Sequence, residues 1–105
     1  MHVLDVGLVE MIESDRNYVK LTVGRGTYTA RSTLQHAEAS MVSQPMLKVS
    51  RSCLVNLSHI REISRTPRGD VIVMLAGGAT VTSSERFRES VRQHLDRMQL
   101  WPRES

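Results

Sequence analysis

Three short polar clusters hold most of the side chains that could grip an anion. The first is Asp15-Arg16-Asn17-Tyr18, with Lys20 two residues on. The second is Ser50-Arg51-Ser52 and the third is Ser84-Glu85-Arg86. A guanidinium can hold phosphate or guanine through two parallel hydrogen bonds, while hydroxyl and ammonium groups add single donors. The third cluster also opens a helix-like segment, whose first backbone N–H groups favour negative charge. Each cluster reads equally well as a solvated turn or a helix cap.

Residues for covalent or metal chemistry are less suggestively placed. His2, His36, His59 and His94 are scattered, with no metal-ligand spacing. No Ser-His-Asp or Cys-His set has sequence support. Cys53 lies inside an apolar run and reads as a small buried hydrophobe. As the single cysteine it excludes an internal disulfide, which suits a reducing cytoplasm. Gly24-Arg25-Gly26 and Gly77-Gly78 each separate two strand-like segments, so they predict hairpin turns; a phosphate-cradling loop joins a strand to a helix. The expectation is a protein with no catalytic residues, metal site or cofactor.

Short elements must position the clusters. Tyr18 to Val23 alternates, with Val19, Leu21 and Val23 on one face and Tyr18, Lys20 and Thr22 on the other. Thr27 to Ala30 returns as the second strand of a hairpin. Ser32 opens a helix as its cap, with Gln35 reaching back in a capping box, and Leu34, Ala37 and Met41 share one face. Gln44-Pro45 ends that element. Apolar segments at 46–49 and 52–55 bracket Ser50-Arg51, Asn56 to His59 is a polar turn, and Ile60 to Ile63 alternates again. Asn56 reads as a turn residue bonding nearby backbone. Thr66 to Asp70 is a loop, Val71 to Leu75 a β-branched strand, and Ala79 to Thr82 its return. Ser83 or Ser84 caps a last helix whose stripe is Phe87, Val91, Leu95 and Met98, and Pro102 is its stop. The pattern predicts a β-rich α+β domain.

The chain has 105 residues, 40% hydrophobic and 24% charged, enough for a single domain with one modest core. No apolar stretch reaches the roughly 20 residues needed to span a bilayer, and no signal-peptide core follows Met1. Of the 14 basic residues all but Lys20 and Lys48 are arginine, within a net charge of +3. Only Tyr18, Tyr28, Phe87 and Trp101 are aromatic, too few for a platform that stacks unpaired bases. Arginine-rich, aromatic-poor chemistry fits duplex DNA better than single strands or RNA.

Lys48 to Asn56 reads Lys-Val-Ser-Arg-Ser-Cys-Leu-Val-Asn. This resembles the centre of the LytTR DNA-binding domain of bacterial transcription regulators. Ile12-Glu13-Ser14 and Asn17-Tyr18-Val19 are similar to the family's opening elements. Leu75, Gly78, Val81 and Ser84 follow its spacing before the last helix. The resemblance runs from about Leu8 to about Met98 and treats residues 1–105 as one such domain. It implies a predominantly β, elongated α+β fold of layered small antiparallel sheets flanked by two helices.

The resemblance also implies sequence-specific duplex-DNA binding through loops inserted into successive grooves, in a transcription regulator or response-regulator output domain. Arg51 and Arg86 are then the groove readers, Lys20 and Ser52 phosphate contacts, with Arg16, Asn17, Tyr18, Ser50 and Ser84 completing the interface. Paired direct repeats, two copies on DNA, a monomer or weak dimer in solution, and a preceding receiver or sensor region are further implications. Two departures stand out: Ser50 replaces the family's usual histidine, and Glu85 intervenes between Ser84 and Arg86. The helix start favours Glu85 as a capping acid. The rival reading is a protein-interaction or dimerisation module with solvated arginines.

Overall fold

In a computed structural model that describes residues 5–101, the alternating segments pair into two antiparallel sheets. The strands are β1 (Met11–Asp15), β2 (Tyr18–Val23), β3 (Gly26–Arg31), β4 (Met46–Ser50), β5 (Cys53–Asn56), β6 (Ile60–Arg65), β7 (Val71–Leu75) and β8 (Thr80–Thr82). Helix α1 (Leu34–Ser40) follows β3, and α2 (Arg88–Arg97) follows β8. The first sheet has the order β3-β2-β1-β5-β4 and the second β6-β7-β8. The molecule is elongated, 49 × 23 × 22 Å. This is the layered, mostly β fold with two helices that the resemblance implies.

The first sheet is covered on both faces, and that arrangement sorts the side chains. Ile12, Val19 and Leu54 point to one cluster with Leu34, Ala37 and Met41 of the α1 region. Met11, Leu47, Val49, Cys53 and Val55 point to the other, with Val71, Val73 and Leu75 of β7 and Val91 and Leu95 of α2. All four residues of β5 are buried. Burying each such aliphatic side chain is worth about 1.5–3 kcal/mol. Thr22 lies on the expected polar face of β2 yet is buried, because the second sheet covers that end.

Double coverage also explains why β1 is absent from the pattern reading, which begins the meander at Tyr18. Met11 and Ile12 are both buried, on opposite faces, so alternation is lost where the strand is most central.

The caps differ from expectation. Ser32 N–H still bonds Asn17 O, so the chain remains in the sheet at Ser32, and the cap falls to Thr33, whose Oγ1 accepts from His36 N at 3.0 Å. Gln35 is then one place too early for a capping box. Ser83 is buried and its Oγ accepts from Val71 N, which removes it as a cap. Ser84 instead starts a 3-10 turn, Glu85–Phe87, and its side chain makes no capping bond. Met98 falls beyond the last turn of α2 and is exposed, unlike Val91 and Leu95. Pro102 lies outside the described residues.

A buried carboxylate fastens the two sheets together. Glu10 is 4% exposed and accepts from Gly24 N at 2.8 Å and Gly77 N at 2.9 Å. The β2–β3 and β7–β8 turns therefore meet on one side chain. They meet so closely that a Cβ on Gly77 would sit 2.3 Å from Gly24 O. Gly77→Ala is expected to lower the unfolding free energy by about 1–3 kcal/mol in urea titration, the usual cost of overpacking. An unchanged midpoint would contradict this contact.

Candidate nucleic-acid interface

Strand register carries the three polar clusters to the same strand ends of the first sheet. Asp15 pairs with Tyr18, so Arg16 and Asn17 form a two-residue hairpin tip. Ser50 pairs with Cys53, so Arg51 and Ser52 form another. The strands β1 and β5 are antiparallel neighbours, and Ser14 N–H bonds Ser52 O at 2.8 Å, so the two tips lie side by side. Ser84 N–H bonds Val49 O at 3.0 Å, which fixes the third cluster beside the end of β4.

Ser50, Arg51 and Ser52 share one open concavity with Ser84, Glu85 and Arg86. Tyr18 and Lys20 line a neighbouring hollow with Glu13, Asp15 and Thr29. The structure thus brings the second and third clusters into one surface and sets the first beside it.

Charge partners separate the cations. Lys20 Nζ lies 3.4 Å from Glu13 Oε1 across the β1–β2 pair. Arg88 and Arg92 are paired with acids along α2 and its approach. Among the described residues Arg16, Arg51 and Arg86 have no ion-pair partner, a condition they share with Arg25, Arg31, Arg61, Arg68 and Arg97. All three are exposed. Glu85 sits in the 3-10 turn before α2, and its carboxylate faces Arg88 at 3.3 Å.

Backbone geometry marks Arg16 further. Its φ is 59°, the left-handed region, at the same corner position that Gly24 fills in the next hairpin with the same φ. Arginine there costs about 1–2 kcal/mol relative to an unstrained corner.

The hydroxyls also differ. Ser50 Oγ accepts from Ser52 N at 3.3 Å and so shapes its own turn, while the Ser52 and Ser84 hydroxyls have no hydrogen-bond partner among the described residues.

Asn56 and Cys53 serve structure. Asn56 is fully buried; its Nδ2 donates to Val9 O at 2.9 Å and Gln44 Oε1 at 3.1 Å, and its Oδ1 accepts from Ser58 N at 2.9 Å. Cys53 is buried, and burial, helped by the Glu13 carboxylate, pushes its thiol up to about 12. Among the described residues no group of three or more His, Cys, Asp or Glu could hold a metal, and no helix is long and apolar enough to cross a membrane. His2 lies outside the described residues.

Small stacked sheets that project exposed arginines from adjacent turns form a β module whose loops suit an anionic partner. The LytTr DNA-binding domain model matches residues 1–96, and the chain belongs to this family. Its function is accordingly sequence-specific DNA binding in transcription regulation. A similar solved structure is a LytTr DNA-binding domain from Bacillus cereus, described as part of a methyl-accepting/DNA response regulator. That fold matches with a TM-score of 0.76 at 20% identity, over 88% of this chain and 84% of the other. No curated protein matches the sequence.

Two expectations follow. Asn56→Ala strands buried backbone groups and is expected to cost about 2–4 kcal/mol of stability, while the folded fraction binds DNA normally. A loss of affinity without loss of stability would make Asn56 a contact residue instead. For Cys53 the folded thiol ionises only near about 12, above the ordinary 9.0. The unfolded chain therefore releases its proton first as pH rises, so the Cys53 contribution is intact below 9.0 and declines towards about 12. Comparing wild type with Cys53→Ala across that window in denaturant titrations checks it; parallel pH curves would contradict it.

Proposed function

We propose that the end of the molecule formed by the β1–β2 tip, the β4–β5 tip and the 84–86 turn is the DNA-reading surface. Arg51 and Arg86 reach base edges in a groove. Ser52, Ser84 and backbone N–H groups take phosphates, and Arg16, Asn17 and Tyr18 contact the duplex further along. The observation that carries this reading is the single concavity shared by Ser50 to Ser52 and Ser84 to Arg86. Two unpaired guanidiniums on its rim suit bidentate recognition of guanine. The strained corner at Arg16 supports it, since a long cation is kept where glycine would sit without strain.

Lys20 has a smaller part than the sequence implies. Its ammonium lies against Glu13, and phosphate must compete with that carboxylate. Ser50 keeps the tip folded and contributes to DNA through that geometry.

The chain acts as one LytTr domain, as a monomer or weak dimer that places two copies on direct repeats. A receiver or sensor region is the expected source of regulation, and the cytoplasm the expected compartment.

The test begins with selection of bound duplexes from a random pool at about 150 mM salt, where non-specific attraction is weak. On the enriched duplex, Arg51→Ala and Arg86→Ala are expected to cost about 1–3 kcal/mol, with much less lost on random DNA. Both substitutions leave stability within about 0.5 kcal/mol, because neither side chain is buried. A pool that stays random, or equal losses on both duplexes, would contradict base reading by these residues.

A further inference from the structure

Arg88 opens α2 two residues after Arg86, and three groups converge on its guanidinium. Nη1 donates to Arg68 O at 2.6 Å, Nη2 lies 3.3 Å from Glu85 Oε1, and Nε lies 3.6 Å from Asp70 Oδ1. The two outer arms of one rigid fork therefore hold the 66–70 loop and the 85–87 turn together. Asp70 Oδ1 is buried without a hydrogen-bond partner among the described residues, so the positive charge of Arg88 is what offsets it.

The loop is built to be held. Thr66 N–H bonds Asp70 O, Gly69 N–H bonds Thr66 O, and Asp70 N–H bonds Thr66 Oγ1. Gly69 takes a φ of 94°, and a Cβ there would sit 3.5 Å from Arg88 Nη1. The backbone of Arg68 is thereby fixed within one guanidinium's span of Glu85, the neighbour of Arg86. The Arg68 side chain is exposed and has no ion-pair partner among the described residues. The sequence marks this stretch only as a loop and gives Arg88 no special place.

We propose that Arg88 is a positioning residue for DNA reading, and that the loop it clamps brings Arg68 into the interface as a phosphate contact beside Arg86. This rests on the reading that the same end of the molecule faces DNA, and it adds a fourth element to that surface. It also accounts for the acid at Glu85. A carboxylate at the reading turn repels phosphate, and Arg88 neutralises it from the protein side. Losing Arg88 releases the loop and leaves Glu85 and Asp70 uncompensated next to DNA.

The experiment measures affinity against salt concentration for a random-sequence duplex and for the enriched duplex. The proteins are wild type, Arg68→Gln, Arg88→Gln, the double variant and Arg88→Lys. Arg68→Gln is expected to reduce the slope of log affinity against log salt by about 1 while keeping sequence preference. Arg88→Gln is expected to lower affinity for the enriched duplex about fivefold or more. Adding Arg68→Gln to it then changes little, because the loop is already released. Arg88→Lys restores charge but not the fork, so it recovers random-duplex affinity without recovering discrimination.

An unchanged slope in Arg68→Gln, or additive losses in the double variant, would overturn the proposal. If Arg88→Gln melts below the assay temperature, the Arg68→Gln slope decides alone. Arg51→Ala separates the two readings. Discrimination lost there, with the Arg68 and Arg88 variants unchanged, retains the DNA surface and removes the clamp; a wild type that binds neither duplex removes both.

Discussion

Strand β5 has no free face, and the rest of the molecule is arranged around that constraint. Its three apolar residues alternate between two apolar clusters, Leu54 towards α1 and Cys53 and Val55 towards the second sheet and α2. A strand buried on both sides cannot slip by one residue without exchanging which side chains enter which cluster. The register of β1 and β4 against it is therefore strongly determined. The β4–β5 tip, with Arg51 and Ser52, leaves directly from this fully buried strand. For the base contact proposed for Arg51, a mounting on packed structure leaves less motion to be stopped on binding.

Electrostatics divide the basic residues in a way that the small net charge conceals. Arg88 and Arg92 are committed to acids around α2, and Lys20 to Glu13. Arg16, Arg51 and Arg86 project from adjacent turns with no acid partner among the described residues. At the opposite strand ends the β2–β3 and β7–β8 turns meet on Glu10, whose carboxylate takes the N–H groups of Gly24 and Gly77 and holds the sheets together. One set of strand ends is thus fastened by a buried side chain, and the other carries Arg16, Arg51 and Arg86, the cations proposed to meet DNA.

Much of this was legible in the residues, for identifiable reasons. The β2–β3 hairpin and the β7–β8 return declare themselves through alternation and glycine turns, and α1 through Leu34, Ala37 and Met41. The resemblance carried by Lys48 to Asn56 supplied the layered architecture and the pairing of Arg51 with Arg86, which periodicity alone does not. Strand β1 was hidden because burial on both faces erases alternation. The α1 cap fell one step from expectation, to Thr33, because a long-range backbone bond at Ser32 outweighs local capping, and of the two serines before the last helix Ser83 is taken by its bond to Val71. Glu10 has no local signal, and Arg88 has only the acid three residues before it, Glu85. The other partners are 14 and 67 residues away for Glu10 and 20 away for Arg88, distances over which spacing rules carry no information.

In the proposed complex, duplex DNA lies across the strand ends that carry the three turns. Titration of the isotopically labelled chain with the enriched duplex, followed through backbone amide signals by NMR, shows where it binds. Shifts are expected at 16–18, 51–52 and 84–86, with the α1 face and the Gly24–Gly77 turns undisturbed. Shifts centred on α1 or along the exposed edge of β3 would place the DNA elsewhere and overturn the proposed surface.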